Sequence, residues 1–145
     1  MDKVRVLIVE DEAIIAMVLR HQLEAMGYTV MTEVRTGEEA VEAASRLRPD
    51  LVMMDIGLSG GMDGIEAAGQ IRGQFDIPVV YITAYVSGET LGRAEITEPS
   101  GYLIKPFDSE MLRAVVERAR QQSTSQILHG ESPSVSLVRH RNDDL

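Results

Sequence analysis

The feature that most constrains the fold is a series of short apolar runs, each followed directly by a polar residue. Four of these runs are rich in Val, Ile, Leu or Met, and they lie at Val6–Val9, Leu51–Met54, Val79–Ile82 and Tyr102–Ile104. Stretches with helical patterns separate them. Apolar runs of this length between helices are typical of parallel strands that are buried on both faces. The pattern therefore predicts an α/β fold with a parallel sheet.

The remaining segments complete an alternation of strands and helices. Thr29–Val34 is predicted as a further strand, and its polar residues favour a place near the edge of the sheet. The predicted helices cover Ala13–Met26, a segment opened by Thr36–Glu39, Gly64–Arg72, Ser87 to about Glu95, and a segment after Asp108. Five strands and five helices in strict alternation, joined by right-handed crossovers, favour a doubly wound flavodoxin-like sheet with strand order 2-1-3-4-5.

The helices differ in how clearly they are patterned. The first helix is expected to end at Gly27 and to turn toward the core the side chains of Ile14, Ile15, Val18, Leu19, Leu23 and Met26. The last is expected to start at an Asp108 cap and to bury Met111, Leu112, Val115, Val116 and Ala119. Thr36 and Glu39 have the spacing of a capping box. Gly88 and Gly92 weaken the fourth helix.

Composition sets the class of protein. A chain of 145 residues is long enough for one domain with a real core. Its formal net charge of −9 argues against direct binding of nucleic acid. The lack of cysteine excludes a disulfide scaffold, a thiolate metal site and thiol catalysis. No apolar run approaches the roughly 20 residues of a membrane span, so no membrane partner is expected and the predicted location is the cytoplasm.

The pattern changes near residue 122. Serines, charges, Gly130 and Pro133 follow it, and no helical stripe persists. We therefore predict a domain at residues 1–121 and a Ser-rich, flexible tail at residues 122–145.

Chemically active side chains stand at the ends of the predicted strands. Glu10 and Asp11 follow the first strand, Asp55 the third, Thr83 the fourth and Lys105 the fifth. Because the carboxyl ends of parallel strands meet at one edge, we expect these groups to share a crevice where ligands bind. Three carboxylates, a hydroxyl and an ammonium group fit Mg²⁺-assisted handling of a phosphoryl group. An Asp carboxylate can also act as the nucleophile that forms an aspartyl-phosphate.

Residues 4 to about 121 resemble the receiver domain of two-component response regulators. The matching motifs are Val9-Glu10-Asp11-Glu12, Met54-Asp55-Ile56, Met62-Asp63-Gly64, Thr83-Ala84 and Lys105-Pro106-Phe107. Each motif is weak alone, but their order on these strand ends is specific.

The resemblance implies a role for each group in the crevice. Asp55 would accept a phosphoryl group from a histidine kinase or a histidine phosphotransfer protein. Asp11, Asp55 and the Gly57 backbone carbonyl would bind Mg²⁺ directly, and Glu10 would bind it through water. Lys105, the Thr83 hydroxyl and the Ala84 backbone amide would contact the phosphoryl group. The Lys105-Pro106 peptide would be cis.

The resemblance also implies a switch rather than a metabolic enzyme. Thr83 would move toward the phosphoryl group, and Tyr102 would swing into the space that it leaves. An unidentified downstream protein would then bind through roughly residues 87–120, and it stays open whether phosphorylation produces a homodimer. The only chemistry expected is self-catalysed phosphotransfer and slow autodephosphorylation.

Two departures and three alternatives accompany this interpretation. The loop Gly57–Gly61 is one residue longer than the commonest receiver loop, and the fourth helix is weakly patterned.

An interaction-only receiver-like module remains an alternative, although it would lack the acceptor Asp or the Lys. An aspartyl-phosphate phosphohydrolase normally carries a second Asp two residues after the first, where this chain has Gly57. A flavin carrier would need a phosphate-binding loop after the first strand, where Glu10–Glu12 would repel phosphate.

Overall fold

The protein forms a five-stranded parallel sheet with helices on both faces. A computed structural model describes residues 3–84 and 87–129, with side chains described as far as Gln122. The strands are β1 Arg5–Val9, β2 Thr29–Val34, β3 Leu51–Asp55, β4 Val79–Thr83 and β5 Gly101–Ile104. They lie in the order β2-β1-β3-β4-β5, and every adjacent pair is parallel. The predicted topology is confirmed, as is the edge position of β2.

Five helices alternate with the strands. They are α1 Ala13–Ala25, α2 Gly37–Leu47, α3 Gly64–Phe75, α4 Gly88–Ile96 and α5 Ser109–His129. The last helix continues through residues 122–129, which were predicted to belong to the tail, so the helix is longer than expected. Residues 130–145 lie outside the described part of the chain, and a flexible tail there stays a prediction. Within the described residues, no helix combines the length and hydrophobicity that a membrane span needs.

The pairing register of the central strands is fixed because both faces of these strands are buried. One face of the sheet packs with α2 and α3 and carries Leu7, Val9, Val52, Met54 and Tyr81. The opposite face packs with α1 and α5 and carries Val6, Ile8, Met53, Val80 and Ile82. Burying a single large aliphatic side chain stabilises a fold by about 1.5–3 kcal/mol. A slip of one residue would exchange the two faces of a strand and disturb both cores.

Capping residues that the sequence indicates mark the ends of several helices. Gly27 has φ +96°, which suits the residue after a helix. Asp108 caps α5 by accepting a hydrogen bond from the Met111 amide at 2.8 Å. The capping box predicted for α2 is only half present. Thr36 accepts from the Glu39 amide, but the Glu39 carboxylate accepts from the Arg35 amide rather than from that of Thr36.

The predicted core face of α1 is partly wrong. Ala16, Leu19 and Leu23 form the buried stripe of this helix. At 3.6 residues per turn, Ile14 and Val18 lie on the side opposite that stripe. Ile14 is 73% exposed and Val18 is 41% exposed, so neither contributes to the core. On α5, Met111 is likewise largely exposed, whereas its other four predicted core residues are buried or half-buried.

Helix α4 is attached mainly by polar side chains. Ala94 is its single buried residue, and Ile96, which was expected to help bury the helix, is 81% exposed. Polar contacts link the helix and its C-cap Thr97 to the rest of the domain. They include Arg93 to Asp63 at 3.0 Å, Glu95 to the Tyr102 hydroxyl at 2.5 Å and Thr97 to the Tyr81 hydroxyl at 2.7 Å. The weak apolar pattern of this segment therefore corresponds to a weakly buried helix.

Candidate functional site

Three carboxylates meet at the carboxyl ends of β1 and β3. These strands are neighbours, with Val9 paired to Met54, so the residues that follow Val9 lie beside the end of β3. Glu10 and Asp55 are buried, and Asp11 is half-buried. Each of the three offers an oxygen atom, and these atoms lie within 4.8 Å of one another. The structure thus brings together the three acids that the sequence predicts at one rim.

Burial changes the ionisation of Glu10. Its side chain is removed from water and lies beside the Asp55 carboxylate, and these two effects raise its pKa from 4.5 to about 7. One oxygen, Oε2, accepts a hydrogen bond from the Glu12 amide at 3.1 Å. The other, Oε1, is buried and lies 3.3 Å from the ammonium nitrogen of Lys105. The buried acid is therefore paired with a positive group of the same crevice.

Lys105 supplies the positive charge of the crevice. Its ammonium nitrogen lies 3.2 Å from Glu12, 3.3 Å from Glu10 and 3.9 Å from Asp55. Burial opposes the charge of the ammonium group, but the carboxylates of Asp55 and Glu10 outweigh burial and raise the pKa of Lys105. The lysine is therefore held as a cation among three acids. The contact with Glu12 was not predicted, since only the fold shows that this exposed acid faces the end of β5.

Asp55 is fixed by its own loop. The Gly57 amide donates a hydrogen bond to Asp55 Oδ1 at 2.9 Å. Behind it, a Cβ atom on Gly64 would lie only 2.1 Å from the Asp55 carbonyl oxygen. Because α3 begins so close to the backbone of Asp55, only glycine fits at its first position. The Asp63-Gly64 pair thus serves local structure, because Asp63 also caps α3 in a complete capping box with Glu66.

Thr83 and Ala84 stand at the end of β4, next to β3. Thr83 is buried, and its backbone carbonyl accepts a hydrogen bond from the Lys105 amide at 2.8 Å. The Ile56 amide donates to the Ile82 carbonyl at 3.0 Å, which joins the loop after Asp55 to the same strand. The ends of β3, β4 and β5 are therefore connected through the backbone. The Lys105-Pro106 peptide is cis, as the resemblance implies.

Tyr102 lies beside Tyr81 on the face of the sheet that α4 covers. The two residues are paired across β4 and β5, and their rings stack with centroids 5.8 Å apart. The Tyr102 hydroxyl donates to Glu95 of α4 at 2.5 Å. Burial raises the pKa of Tyr81 to about 12, so its hydroxyl stays protonated beside Thr97. The predicted switch residue is thus in direct contact with the weakly buried helix.

The loop after β3 adds a contact that the sequence did not indicate. The hydroxyl and amide of Ser59 lie 3.2 and 3.4 Å from Asp11 Oδ2 and donate hydrogen bonds to it. The two residues are far apart in the chain. In the sequence, only the extra residue in Gly57–Gly61 indicated that this loop differs from the commonest receiver loop.

The donor set fits a hard divalent cation. The candidate ligands are carboxylate oxygens, joined by the predicted Gly57 carbonyl, and Mg²⁺ prefers oxygen ligands. The buried carboxylate of Glu10 belongs to this cluster. Clustered carboxylates repel one another, and a cation between them removes that cost. The residues present are therefore suited to magnesium.

Known proteins share both the sequence pattern and the fold. The model of the response regulator receiver domain family matches residues 6–117. The transcriptional regulatory protein PdtaR of Mycobacterium tuberculosis is 41% identical over 115 residues, which are 79% of this chain and 56% of that protein. The phyllosphere-induced regulator PhyR of Methylorubrum extorquens is 39% identical over 115 residues, which are 79% of this chain and 42% of that protein.

A solved receiver structure has the same architecture. The signal receiver domain of a modulated diguanylate cyclase from Desulfovibrio desulfuricans superposes with a TM-score of 0.82 at 40% identity, covering 86% of this chain and 99% of that one. The chain spans about half the length of the curated relatives described above. The matched region includes four whole strands, all of β1 except Arg5, and every strand-end residue of the crevice. The chain therefore belongs to the response regulator receiver domains, the signalling switches of two-component systems.

Proposed function

We propose that this receiver is switched by transfer of a phosphoryl group to Asp55. The observation that carries the proposal is the buried Asp55 carboxylate, which lies among Glu10, Asp11 and Lys105 at the end of β3. A carboxylate in this position can act as a nucleophile, and the ammonium group beside it can balance the charge of incoming phosphoryl oxygens. The donor would be the phosphohistidine of a histidine kinase or of a histidine phosphotransfer protein.

The transfer is a displacement at phosphorus. A carboxylate oxygen of Asp55 forms a P–O bond while the P–N bond of the donor breaks, and the electron pair of that bond returns to the imidazole nitrogen. The Gly57 amide holds Asp55 Oδ1 and orients the carboxylate for this step. Lys105, the Thr83 hydroxyl and the Ala84 amide would hold the phosphoryl oxygens. Attack of water on the same phosphorus would later break its P–O bond to Asp55, which regenerates the carboxylate and releases inorganic phosphate. The chain would thus reset itself without a metabolic substrate.

Magnesium would be held by the acids of the crevice. Asp11, Asp55 and the Gly57 carbonyl would be direct ligands, and Glu10 would act through a water molecule. The bound ion would offset the negative charge that accumulates when a phosphoryl group enters a site with three carboxylates. Lys105 would offset part of the same negative charge, because its ammonium group already contacts Glu10 and Asp55.

The output would pass through α4 and β5. Movement of Thr83 toward the phosphoryl group would allow Tyr102 to turn inward, and this movement would break its hydrogen bond to Glu95. Because α4 is held by few buried contacts, its position should respond to the change. A downstream protein would then bind at residues 87–120.

The test is intact-mass spectrometry after incubation with Mg²⁺ and a small phosphodonor. Acetyl phosphate and phosphoramidate would both be used, since the second contains a P–N bond as phosphohistidine does. We expect a single phosphoryl adduct on the parent, and none with Asp55→Asn or with EDTA. Asp108→Asn is the matched control, because Asn also caps a helix and the adduct should persist.

Each outcome decides the proposal. Loss of the adduct with Asp55→Asn but not with Asp108→Asn supports Asp55 as the acceptor. An adduct that survives Asp55→Asn, or a parent that is unmodified by both donors, contradicts it. In the second case the interaction-only module becomes the better description of the chain.

A further inference from the structure

The loop between β3 and α3 reaches back to one of the predicted magnesium ligands. Ser59 Oγ lies 3.2 Å from Asp11 Oδ2, and the Ser59 amide lies 3.4 Å from the same oxygen. Both groups are donors, so Asp11 Oδ2 accepts two hydrogen bonds from one residue. No other hydrogen bond to the Asp11 carboxylate is present in the part of the chain that the structure describes. The orientation of this acid is therefore set largely by Ser59.

The position of Ser59 is fixed from both sides. Leu58, which precedes it, is buried in the core cluster formed with α2 and α3. Gly60, which follows it, has φ +107°, a conformation that side-chain-bearing residues rarely adopt. The buried leucine anchors the loop, and the glycine turns the chain immediately after the serine. Ser59 is exposed, yet it has little freedom to move away from Asp11.

The role of such a contact follows from the needs of the metal. Mg²⁺ requires nearly ideal octahedral geometry, so a freely rotating carboxylate is a poor ligand. Residues that hydrogen-bond a ligating carboxylate orient it, and their loss typically weakens metal binding 10- to 100-fold. With Oδ2 held by Ser59, the other carboxylate oxygen of Asp11 stays available to an ion.

We propose that Ser59 is a positioning residue, which orients Asp11 for magnesium through hydrogen bonds to Oδ2. This inference rests on the proposed magnesium-dependent function, and it gives the unusually long loop a purpose at that site. Ser59 takes no part in the transfer itself. Its effect is on the affinity for the ion and on the choice between ions.

The experiment is calorimetric titration of the phosphate-free protein with MgCl₂ at pH 8. Ser59→Ala removes the hydroxyl but keeps the amide, and we expect it to weaken magnesium binding about tenfold. Ser59→Thr keeps a hydroxyl and should stay within about threefold of the parent. Ser45→Ala is the matched control, because Ser45 is an exposed residue of α2 remote from the acids, and binding should be unchanged.

Two further readouts separate positioning from a general structural effect. In EDTA, Ser59→Ala should unfold at the same temperature as the parent, since Ser59 is exposed. Titration with CaCl₂ should show a smaller loss than titration with MgCl₂, because Ca²⁺ tolerates irregular geometry. An equal loss for both ions contradicts a positioning role, and so does magnesium binding by Ser59→Ala within twofold of the parent.

The parent protein distinguishes this inference from the proposed function. If the parent binds magnesium and accepts the phosphoryl group while Ser59→Ala behaves identically, only the role of Ser59 is wrong. If the parent binds no magnesium, both the role of Ser59 and the magnesium dependence of the proposed function are wrong.

Discussion

The ammonium nitrogen of Lys105 lies 3.3 Å from a carboxylate oxygen of Glu10, whose side chain is fully buried. The contact joins the end of β5 to the end of β1 across the crevice. A buried carboxylate is costly when charged, and a neighbouring cation lowers that cost only in part. The raised pKa of Glu10 shows that the cost remains high. The stability of the metal-free protein should therefore depend on this acid.

The first prediction concerns pH. The pKa of Glu10 is about 7 in the folded protein and 4.5 as its ordinary value, so the folded state binds the proton more tightly. This stabilising contribution is complete below pH 4.5 and is lost as the pH rises through 7. In EDTA, we expect the unfolding temperature of the parent, relative to Glu10→Gln, to fall between pH 4.5 and 7. A constant difference between the two proteins would contradict the prediction.

The second prediction concerns Lys105. Lys105→Ala removes a cation from three carboxylates, so the metal-free protein should lose about 1–3 kcal/mol of stability at pH 8. Urea unfolding in EDTA measures the change, and added Mg²⁺ should recover part of it because an ion compensates the same acids. Lys3→Ala is the control, since Lys3 is exposed. Equal effects of the two substitutions would show that Lys105 does not balance the crevice.

The third prediction concerns Gly64. In Gly64→Ala the new Cβ would lie 2.1 Å from the Asp55 carbonyl oxygen, so the backbone of the acceptor loop must shift. We expect a loss of about 3 kcal/mol in urea unfolding and slower phosphorylation of Asp55. Gly73→Ala lies on the same helix with nothing within 4 Å of its Cβ, and it should be neutral or stabilising by up to about 1 kcal/mol. Similar stabilities for the two variants would rule out the steric explanation.

The fourth prediction concerns Tyr102. Tyr102→Phe keeps the stacked ring and removes the hydroxyl that donates to Glu95. Because α4 buries only Ala94, its backbone amides should exchange with solvent several-fold faster, whereas those of α2 should not change. Hydrogen exchange followed by mass spectrometry measures this. Tyr28→Phe, on the opposite face of the sheet, should leave α4 unaffected. Unchanged exchange in α4 for Tyr102→Phe would contradict the prediction.

The sheet and the crevice could be predicted because both depend on local patterns. A buried parallel strand needs an unbroken apolar run, and the end of that run marks the carboxyl end of the strand to within one or two residues. Glu10, Asp55 and Lys105 therefore reach the same edge of the sheet, and the order β2-β1-β3-β4-β5 brings them together there. Strand order followed from the crossover rules and needed no knowledge of side-chain contacts.

The errors arose where the pattern was ambiguous. In α1, apolar residues occur on nearly every side of the first two turns, so periodicity alone could not exclude Ile14 or Val18 from the core. The contact between Ser59 and Asp11 depends on the path of a loop, which no periodicity describes. The extension of α5 beyond residue 121 was missed because its polar residues form no apolar stripe, although they are compatible with an exposed helix.

Helix α4 buries little of its surface, so it can change position without disturbing the two cores that stabilise the fold. Both apolar cores are built from the other four helices and the sheet, and α4 adds little beyond Ala94. Its polar contacts can be exchanged for contacts with water or with another protein without opening either core. A receiver constructed in this way can change its surface at residues 88–96 while its overall stability stays nearly constant.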